Sequence, residues 1–172
     1  MALEAAARGG HLAIVERLLQ EKADINPSAA SCGSTPLEAA AEVGHLQVVE
    51  KLLYEHAYIE AVGFYGRTAL QAAAGGGHVQ VVERLLQANA HVNAIEPAAE
   101  GGHLQVMKRL LEEDVDAADI WAAARAAERR NHPEALKLLD GLCTALGVPT
   151  INYNRTYRTS ERTHSNSTGS SG

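Results

Sequence analysis

A ten-residue motif that begins with Gly-His or Asn-His recurs five times, and this recurrence constrains the fold more than any other feature. The copies read GHLAIVERLL, GHLQVVEKLL, GHVQVVERLL, GHLQVMKRLL and NHPEALKLLD. Their histidines are His11, His45, His78, His103 and His132, separated by 34, 33, 25 and 29 residues. A period near 33 predicts a stacked-repeat architecture, in which each unit contacts only its neighbours.

Each motif has the apolar spacing of an amphipathic helix. The segments before the motifs, LEAAARG, LEAAAEV, LQAAAGG and IEPAAEG, predict a second, alanine-rich helix that can approach its neighbours closely. The chain is 46% hydrophobic but only 4% aromatic, a composition that suits close-packed helices. Neither helix can bury its apolar face alone. Stacking would bury both, and each buried Leu or Val contributes about 1.5–3 kcal/mol.

The connections between the first three repeats predict turns that lead into helices. Thr35 and Thr68 stand where helix N-caps are expected, and Pro36 would occupy the first helical position. The preceding short segments alternate small or polar residues with one β-branched residue, as in 23–26 and 57–60. We expect a short β-hairpin finger in each of these two connections.

The order G-x-T-P/A-L-x-A-A-x-x-G-H-x-x-V-V-x-x-L-L resembles the ankyrin repeat over residues 1 to about 142. The segment LQAAAGGGHVQVVERLL is also similar to the arrays of large multidomain fungal ankyrin proteins. The resemblance implies a mainly all-α solenoid of about five helix–turn–helix repeats with two β-hairpin fingers, in one domain spanning 1–149. The expected repeats are 1–27, 28–61, 62–94, 95–118 and 119–149.

The last two repeats depart from this pattern. Both lack a finger, and Pro97 falls inside the first helix of the fourth repeat, which we expect to start late or to form a single turn. In the fifth repeat, Arg125, Arg129, Arg130 and Trp121 predict a polar cap on the end of the stack. Residues 150–172 are rich in Ser, Thr and Asn and are predicted to be disordered.

The turn after each second helix is expected to adopt the left-handed conformation that glycine favours. No glycine stands there. The expected left-handed residues are Lys22, His56, Asn89 and Asp114.

Several classes of function are disfavoured by composition. A net charge of −6 opposes general nucleic-acid binding, and no apolar run reaches the length of a membrane span. Glu4 and Arg8 interrupt any signal peptide, so we expect an intracellular, cytoplasmic protein. We also expect a monomer. Cys32 and Cys143 lie far apart in sequence and are interpreted as free thiols.

The recurring histidines do not predict a metal site or a catalytic site. Stacked helices lie about 8–10 Å apart, whereas metal ligands must lie about 2 Å from the ion. We expect these rings to form hydrogen bonds between helix starts and adjacent loops. Gly75-Gly-Gly77 lacks the Gly-Lys-Ser/Thr of a phosphate loop. The sequence therefore predicts neither an enzyme nor a bound cofactor.

The ankyrin resemblance implies protein–protein interaction through finger tips and the concave face of the first helices. The concave positions are Glu4, Arg8, Glu38, Glu42, Gln71, Gly75, Glu96 and Glu100. The predicted partner-binding residues are Phe64, Tyr65, Arg67, Ser31, Cys32, Ser34, Glu38, Glu42, Gln71, Glu96 and Glu100. Phe64, Tyr65 and Arg67 rank first because aromatic and arginine side chains dominate binding hot spots. The alternative is that one of these rings packs on the adjacent finger.

The acidic row formed by Glu38, Glu42, Glu96 and Glu100 predicts a partner with a basic surface segment, unless the row is simply solvated. Two other functions stay open. The chain could be an architectural segment of a longer ankyrin array with no binding activity of its own. A small-molecule pocket near Glu38 and Gln71 is a third hypothesis.

Overall fold

The computed structural model describes residues 2–27, 33–63, 65–145 and 147, and these residues form helices, turns and loops. The helices are α1 (Ala2–Arg8), α2 (Leu12–Gln20), α3 (Pro36–Val43), α4 (Leu46–Tyr54), α5 (Ala69–Gly76), α6 (Val79–Gln87), α7 (Ile95–Glu100), α8 (Leu104–Leu110), α9 (Ala117–Arg129) and α10 (Pro133–Ala145). None of these helices is long and apolar enough to cross a membrane.

Consecutive helices pair, and the pairs stack in chain order. The first helices contact one another in the series α1, α3, α5, α7 and α9. The second helices do the same in the series α2, α4, α6, α8 and α10. The predicted all-α repeat solenoid is confirmed. The predicted repeat ranges each hold one helix pair, except that α9 begins at Ala117, two residues before the predicted start of the fifth repeat.

One continuous core runs through the stack, from Leu3 in α1 to Cys143 in α10. Alanines of the first helices, such as Ala40 and Ala73, are completely buried and let neighbouring helices approach closely. Cys143 is a buried free thiol. Cys32 lies outside the described residues.

The two threonine N-caps are confirmed. The Thr35 hydroxyl accepts a hydrogen bond from the Glu38 amide at 3.0 Å, and Pro36 begins α3. The Thr68 hydroxyl accepts from the Gln71 amide at 3.3 Å, while the Gln71 side chain accepts from the Thr68 amide at 3.1 Å. This reciprocal capping box satisfies two amides that have no partner inside α5.

The predicted β-hairpin fingers are not seen in the described residues. Between α4 and α5 the chain makes local turns, in which Ala61 N donates to Tyr58 O and Gly66 N donates to Gly63 O. An isolated two-stranded hairpin has only marginal stability in water. In the described residues, short local turns connect these two repeats. We call residues 57–67 the α4–α5 connection. Residues 28–32 of the preceding connection lie outside the described part of the chain.

The fourth repeat stacks on both of its neighbours despite its short first helix. The late start expected from Pro97 is wrong, because α7 begins at Ile95 and extends over six residues. Pro97 lies in the first turn, where a backbone N–H has no partner within the helix anyway. Helix α7 packs against both α5 and α9, so the missing finger does not interrupt the stack.

Left-handed backbone follows three of the second helices, at Lys22 (φ 61), His56 (φ 63) and Asn89 (φ 63), as predicted. The same prediction for Asp114 is wrong. The chain leaves α8 through a right-handed residue, Leu111 (φ −74), and Glu113 N donates to Leu110 O. A fourth left-handed residue, Asn131 (φ 59), stands between α9 and α10.

Candidate partner-binding face

A ladder of histidines holds the repeats in register. Each ring from the second to the fifth repeat donates from Nε2 to a backbone carbonyl of the preceding repeat, and each distance is 3.0 Å. The donor and acceptor pairs are His45 with Arg8, His78 with Glu42, His103 with Gly75, and His132 with Glu100. The predicted hydrogen-bonding role of these histidines is confirmed.

Each ring also packs against the left-handed glycine of the preceding repeat. A Cβ added to Gly44 would lie 2.4 Å from His78 Nδ1, and one added to Gly77 would lie 2.5 Å from His103 Nδ1. Glycine is therefore required here by the backbone conformation (φ 86 at Gly44) and by the neighbouring ring. This Gly–His contact sets the spacing of the first helices.

The first helices present one row of side chains, which we call the inner face. Its positions lie six and two residues before the left-handed glycine of each of the first four repeats. They are Glu4, Arg8, Glu38, Glu42, Gln71, Gly75, Glu96 and Glu100. The predicted concave positions thus share one face of the stack.

Glu42 receives two arginines from the repeats on either side. Arg8 Nη1 donates to its Oε2, and Arg67 Nη2 donates to its Oε1 at 2.9 Å. Burial by itself would raise the pKa of Glu42, but the hydrogen bonds from Arg8 and Arg67 lower it overall. Glu42 therefore acts as an ionised link across three repeats.

Glu38 lies beneath the α4–α5 connection and is 0% exposed. Its two carboxyl oxygens form no hydrogen bond with the described residues, and Arg67 Nε lies 3.8 Å from Oε1. Burial raises the pKa of Glu38, and the backbone of Thr35, the Arg67 charge and the backbone of Gly63 only partly oppose this. Glu38 is thus inaccessible to a partner while the connection is in place.

The other two carboxylates of the acidic row pair with the fifth repeat. Glu96 accepts from Arg129 at 3.4 Å, and Glu100 Oε1 accepts from Arg130 Nη2 and Nε at 2.6 and 3.0 Å. The predicted row of free acidic side chains is therefore a set of ion pairs between repeats, together with one buried carboxyl. Arg129 and Arg130, which were predicted to belong to a polar cap, remain largely exposed and also form ion pairs with α7.

Gln71 occupies the equivalent inner-face position of the third repeat. Its Oε1 completes the Thr68 capping box, and its Nε2 donates to Asn93 O at 3.2 Å. The side chain is half-buried and bonds at both ends.

An open groove of about 750 Å³ crosses the inner face from the second to the fifth repeat. It is lined by Glu42, Arg67, Gln71, Ala72, Gly75, Gly76, Pro97, Glu100, Gly101, Arg130 and His132. A smaller depression, lined by Arg8, Glu42, Tyr65 and Arg67, lies beside it. Sequence reasoning placed Gly75 on this face and raised a pocket near Glu38 and Gln71, but it missed Pro97 and Arg130. Gln71 lines the groove, whereas Glu38 does not. The available signal was glycine at a position where other repeats carry long charged side chains.

The family model described as Ankyrin repeats (3 copies) matches residues 2–96, which is more than half of the chain. The chain belongs to the ankyrin repeat family. No curated protein matches it. The matched ankyrin repeats include α1 to α6, and the fourth and fifth helix pairs extend the same ankyrin stack.

The described part of the ankyrin α4–α5 connection exposes one predicted binding residue and orients another. Tyr65 is 69% exposed, and Arg67 reaches back to Glu42. Ser34, which was predicted at a finger tip, is buried. Its hydroxyl accepts a hydrogen bond from Arg8 at 3.2 Å, and its amide donates one to Glu4 at 3.3 Å. Phe64, Ser31 and Cys32 lie outside the described residues.

The polar side chains of the inner face are largely engaged within the ankyrin stack itself. Its charged side chains form ion pairs, and each ladder imidazole donates a hydrogen bond to a backbone carbonyl of the preceding repeat. In the part of the chain that the structure describes, no three His, Cys, Asp or Glu side chains form a cluster that could hold a metal ion.

Proposed function

We propose that this ankyrin array binds a partner protein through its inner face and the tip of the α4–α5 connection. Ankyrin repeats are generally protein–protein interaction modules. The observation that carries the proposal is the exposed Tyr65 beside Arg67, at the edge of the inner-face groove.

Tyr65 and Arg67 have the chemistry of binding hot spots. Tyrosine offers a large contact area with few rotatable bonds, and arginine combines charge with a planar surface. Arg67 lines both the groove and the smaller depression. A partner seated there would contact the connection and the inner face together. Phe64 lies outside the described residues, and its contribution to binding is proposed from the sequence alone.

The basic partner segment inferred from the acidic row is a weaker part of the proposal. Glu42, Glu96 and Glu100 already hold arginines, so a basic segment would have to exchange with those partners. Exposed ion pairs are worth about 0–1 kcal/mol each, so such an exchange is feasible but gains little.

We further propose a monomeric, cytoplasmic module with no catalytic activity, no cofactor and no nucleic-acid or membrane ligand. The net charge of −6 supports the part about nucleic acid, since phosphate backbones repel an acidic protein.

The test is affinity capture from the source cell with the combined Phe64→Ala and Tyr65→Ala variant. We expect capture of the specific partner to be lost while helical circular dichroism is unchanged. Tyr58→Ala is the matched control, because Tyr58 is also exposed and belongs to the same connection. If capture survives the double change, the connection is not the binding site.

A second candidate function, an architectural segment of a longer ankyrin array, is favoured by the α1–α2 end of the stack. Ile14 is exposed there, whereas its equivalents Val48 and Val81 are buried by a preceding repeat. His11 also finds no carbonyl partner among the described residues. An architectural segment should retrieve no specific protein, and a copy of the third repeat fused before residue 2 should stabilise it.

A further inference from the structure

We infer that the inner-face groove accepts an uncharged aromatic side chain of the partner protein, in a notch formed by Ala72, Gly75, Gly76, Pro97 and Gly101. The inference rests on the proposed function and specifies which group of the partner enters the site. We call this part of the groove the Gly75 notch.

The notch is open because the third repeat lacks a side chain where its neighbours have one. Gly75 is equivalent to Arg8, Glu42 and Glu100, whose side chains occupy the inner face. A Cβ built on Gly75 would contact only Pro97 Cβ, at an ordinary 3.8 Å. The chain also runs directly from Asn93 into α7 without a finger.

The adjacent Gly76 differs from Gly75. A Cβ on Gly76 would lie 2.7 Å from the His78 ring and 2.8 Å from Glu42 O. Packing therefore requires glycine at Gly76, whereas nothing in the stack requires it at Gly75. The notch at Gly75 is a feature that the array does not need for folding.

The charges around the notch cancel. Glu42 is paired with Arg67 on one side, and Glu100 is paired with Arg130 on the other. A charged side chain from a partner would have to displace one of these pairs or lose its hydration without compensation. An uncharged side chain covers the apolar surface of the notch and leaves both pairs intact.

An aromatic ring uses this site better than an aliphatic side chain does. Arg67 and Arg130 line the same groove as the notch, and guanidinium groups stack favourably on ring faces. Trp, Tyr and Arg are the residues most enriched in binding hot spots, and of these only Trp and Tyr are uncharged.

The experiment selects a random displayed peptide library against the full chain and then measures peptide affinities for variants. We expect enriched peptides to share an aromatic residue at one position. Gly75→Leu, which fills the notch, should weaken their binding at least tenfold. Gly141→Leu is the matched control, since Gly141 lies within α10 with no atom near a Cβ and far from the notch in sequence. Its affinities should stay within twofold of wild type.

Circular dichroism and melting temperature establish that both variants fold. Gly75→Ala, a smaller filler, should cause an intermediate loss of affinity, so the inference does not depend on one substitution. On addition of a selected peptide, the backbone amide signals of Gly76 and Gly101 should shift more than that of Gly141.

Each other outcome overturns the inference. Peptides with a charged consensus and no aromatic residue would contradict the chemistry of the notch. Peptides that bind Gly75→Leu normally but fail on the Phe64→Ala and Tyr65→Ala variant would overturn the notch and leave the proposed function in place. A library that yields no enriched peptide would count against both.

Discussion

At the scale of single residues, Gly63 and Gly75 of the third repeat differ in how much space surrounds them. A Cβ on Gly63 would lie 2.4 Å from Glu38 Oε2 and 2.8 Å from Ser34 Cα, so the α4–α5 connection can cover Glu38 only with glycine there. A Cβ on Gly75 meets free space and one proline carbon. The same residue type is thus a packing requirement at one position and an opening at the other.

Alanine substitution should separate these roles. Gly63→Ala is expected to destabilise the array by about 1–3 kcal/mol, because backbone atoms must move. Gly75→Ala is expected to stabilise it by about 0.5–1 kcal/mol, because alanine is the better helix former. Urea unfolding measures both changes. Equal shifts of the same sign would contradict the packing described at Gly63.

The buried Glu38 predicts a pH-dependent stability. Its pKa is raised in the folded state, so its contribution is favourable below the unfolded pKa near 4.5 and is lost as the pH rises through the folded value. Glu38→Gln should therefore raise the unfolding free energy relative to wild type at pH 8, and this difference should shrink towards pH 4.

Glu42 provides the control of opposite sign. Its pKa is lowered, so its contribution is present above pH 4.5 and is lost as the pH falls through the folded value. Glu42→Gln should lower stability at pH 8 and approach wild type in acid. Unfolding curves at pH 4, 6 and 8 compare the two variants. If the stability of both variants relative to wild type changed with pH in the same direction, Glu38 would not be the carboxyl whose pKa burial raises.

At the scale of helices, the Gly–His contacts join each repeat to the one before it. The imidazole donates to a carbonyl near the end of the preceding first helix, and the ring rests on a glycine in the left-handed conformation. A helix end left without partners is costly, so this contact both satisfies the carbonyl and fixes the distance between repeats.

Two equivalent histidines allow a matched test of the ladder. His78→Ala removes the hydrogen bond to Glu42 O and should cost about 1–3 kcal/mol of unfolding free energy. His11→Ala removes a ring that has no carbonyl partner among the described residues and should change stability by less than about 0.5 kcal/mol. Chemical denaturation distinguishes the two. Equal losses would mean that the ring acts mainly within its own repeat.

At the scale of the whole molecule, stability depends on position in a one-dimensional stack. Leu85 in the third repeat and Leu139 in the fifth are equivalent, and both are 0% exposed. Leu85 has helix pairs on both sides, whereas Leu139 belongs to the last pair in the described residues. Nearest-neighbour coupling predicts that loss of packing spreads differently from these two sites.

Leu85→Ala should lower the free energy of unfolding of the array by about 2–5 kcal/mol, as expected for a cavity in a core. Leu139→Ala should open α9 and α10 first. Hydrogen exchange by mass spectrometry measures this, with faster exchange confined to the fifth repeat. Equally accelerated exchange in α1 would show that the molecule unfolds as a single unit.

Most of the fold could be predicted from sequence because its determinants lie within one repeat. The Thr35 and Thr68 caps involve residues three apart, and the left-handed turns at Lys22, His56 and Asn89 follow from the period. The errors arose where the period breaks. Pro97 was expected to delay α7 or to limit it to a single turn, but the helix begins at Ile95 and has six residues. Asp114 was placed in a left-handed turn, which the fingerless connection does not contain.

The candidate site was less predictable, because its contacts join residues about 25 to 37 positions apart. Sequence reasoning identified Glu38, Glu42, Glu96 and Glu100 as one row, and they do share the inner face. It could not show that Arg8, Arg67, Arg129 and Arg130 reach that row from neighbouring repeats, since arginine side chains are long and have several partners within range. Ser34 was expected at a tip and is buried for the same reason.

The sequence by itself determined the repeat period, the helix pairs and the recurring position of the histidines, because each follows from a short pattern that recurs. Only the tertiary structure decided which carboxylates are neutralised, that Glu38 is covered, and that Gly75 leaves a notch between two ion pairs. These properties depend on the distance and orientation between side chains of different repeats, and packing of the complete stack sets both.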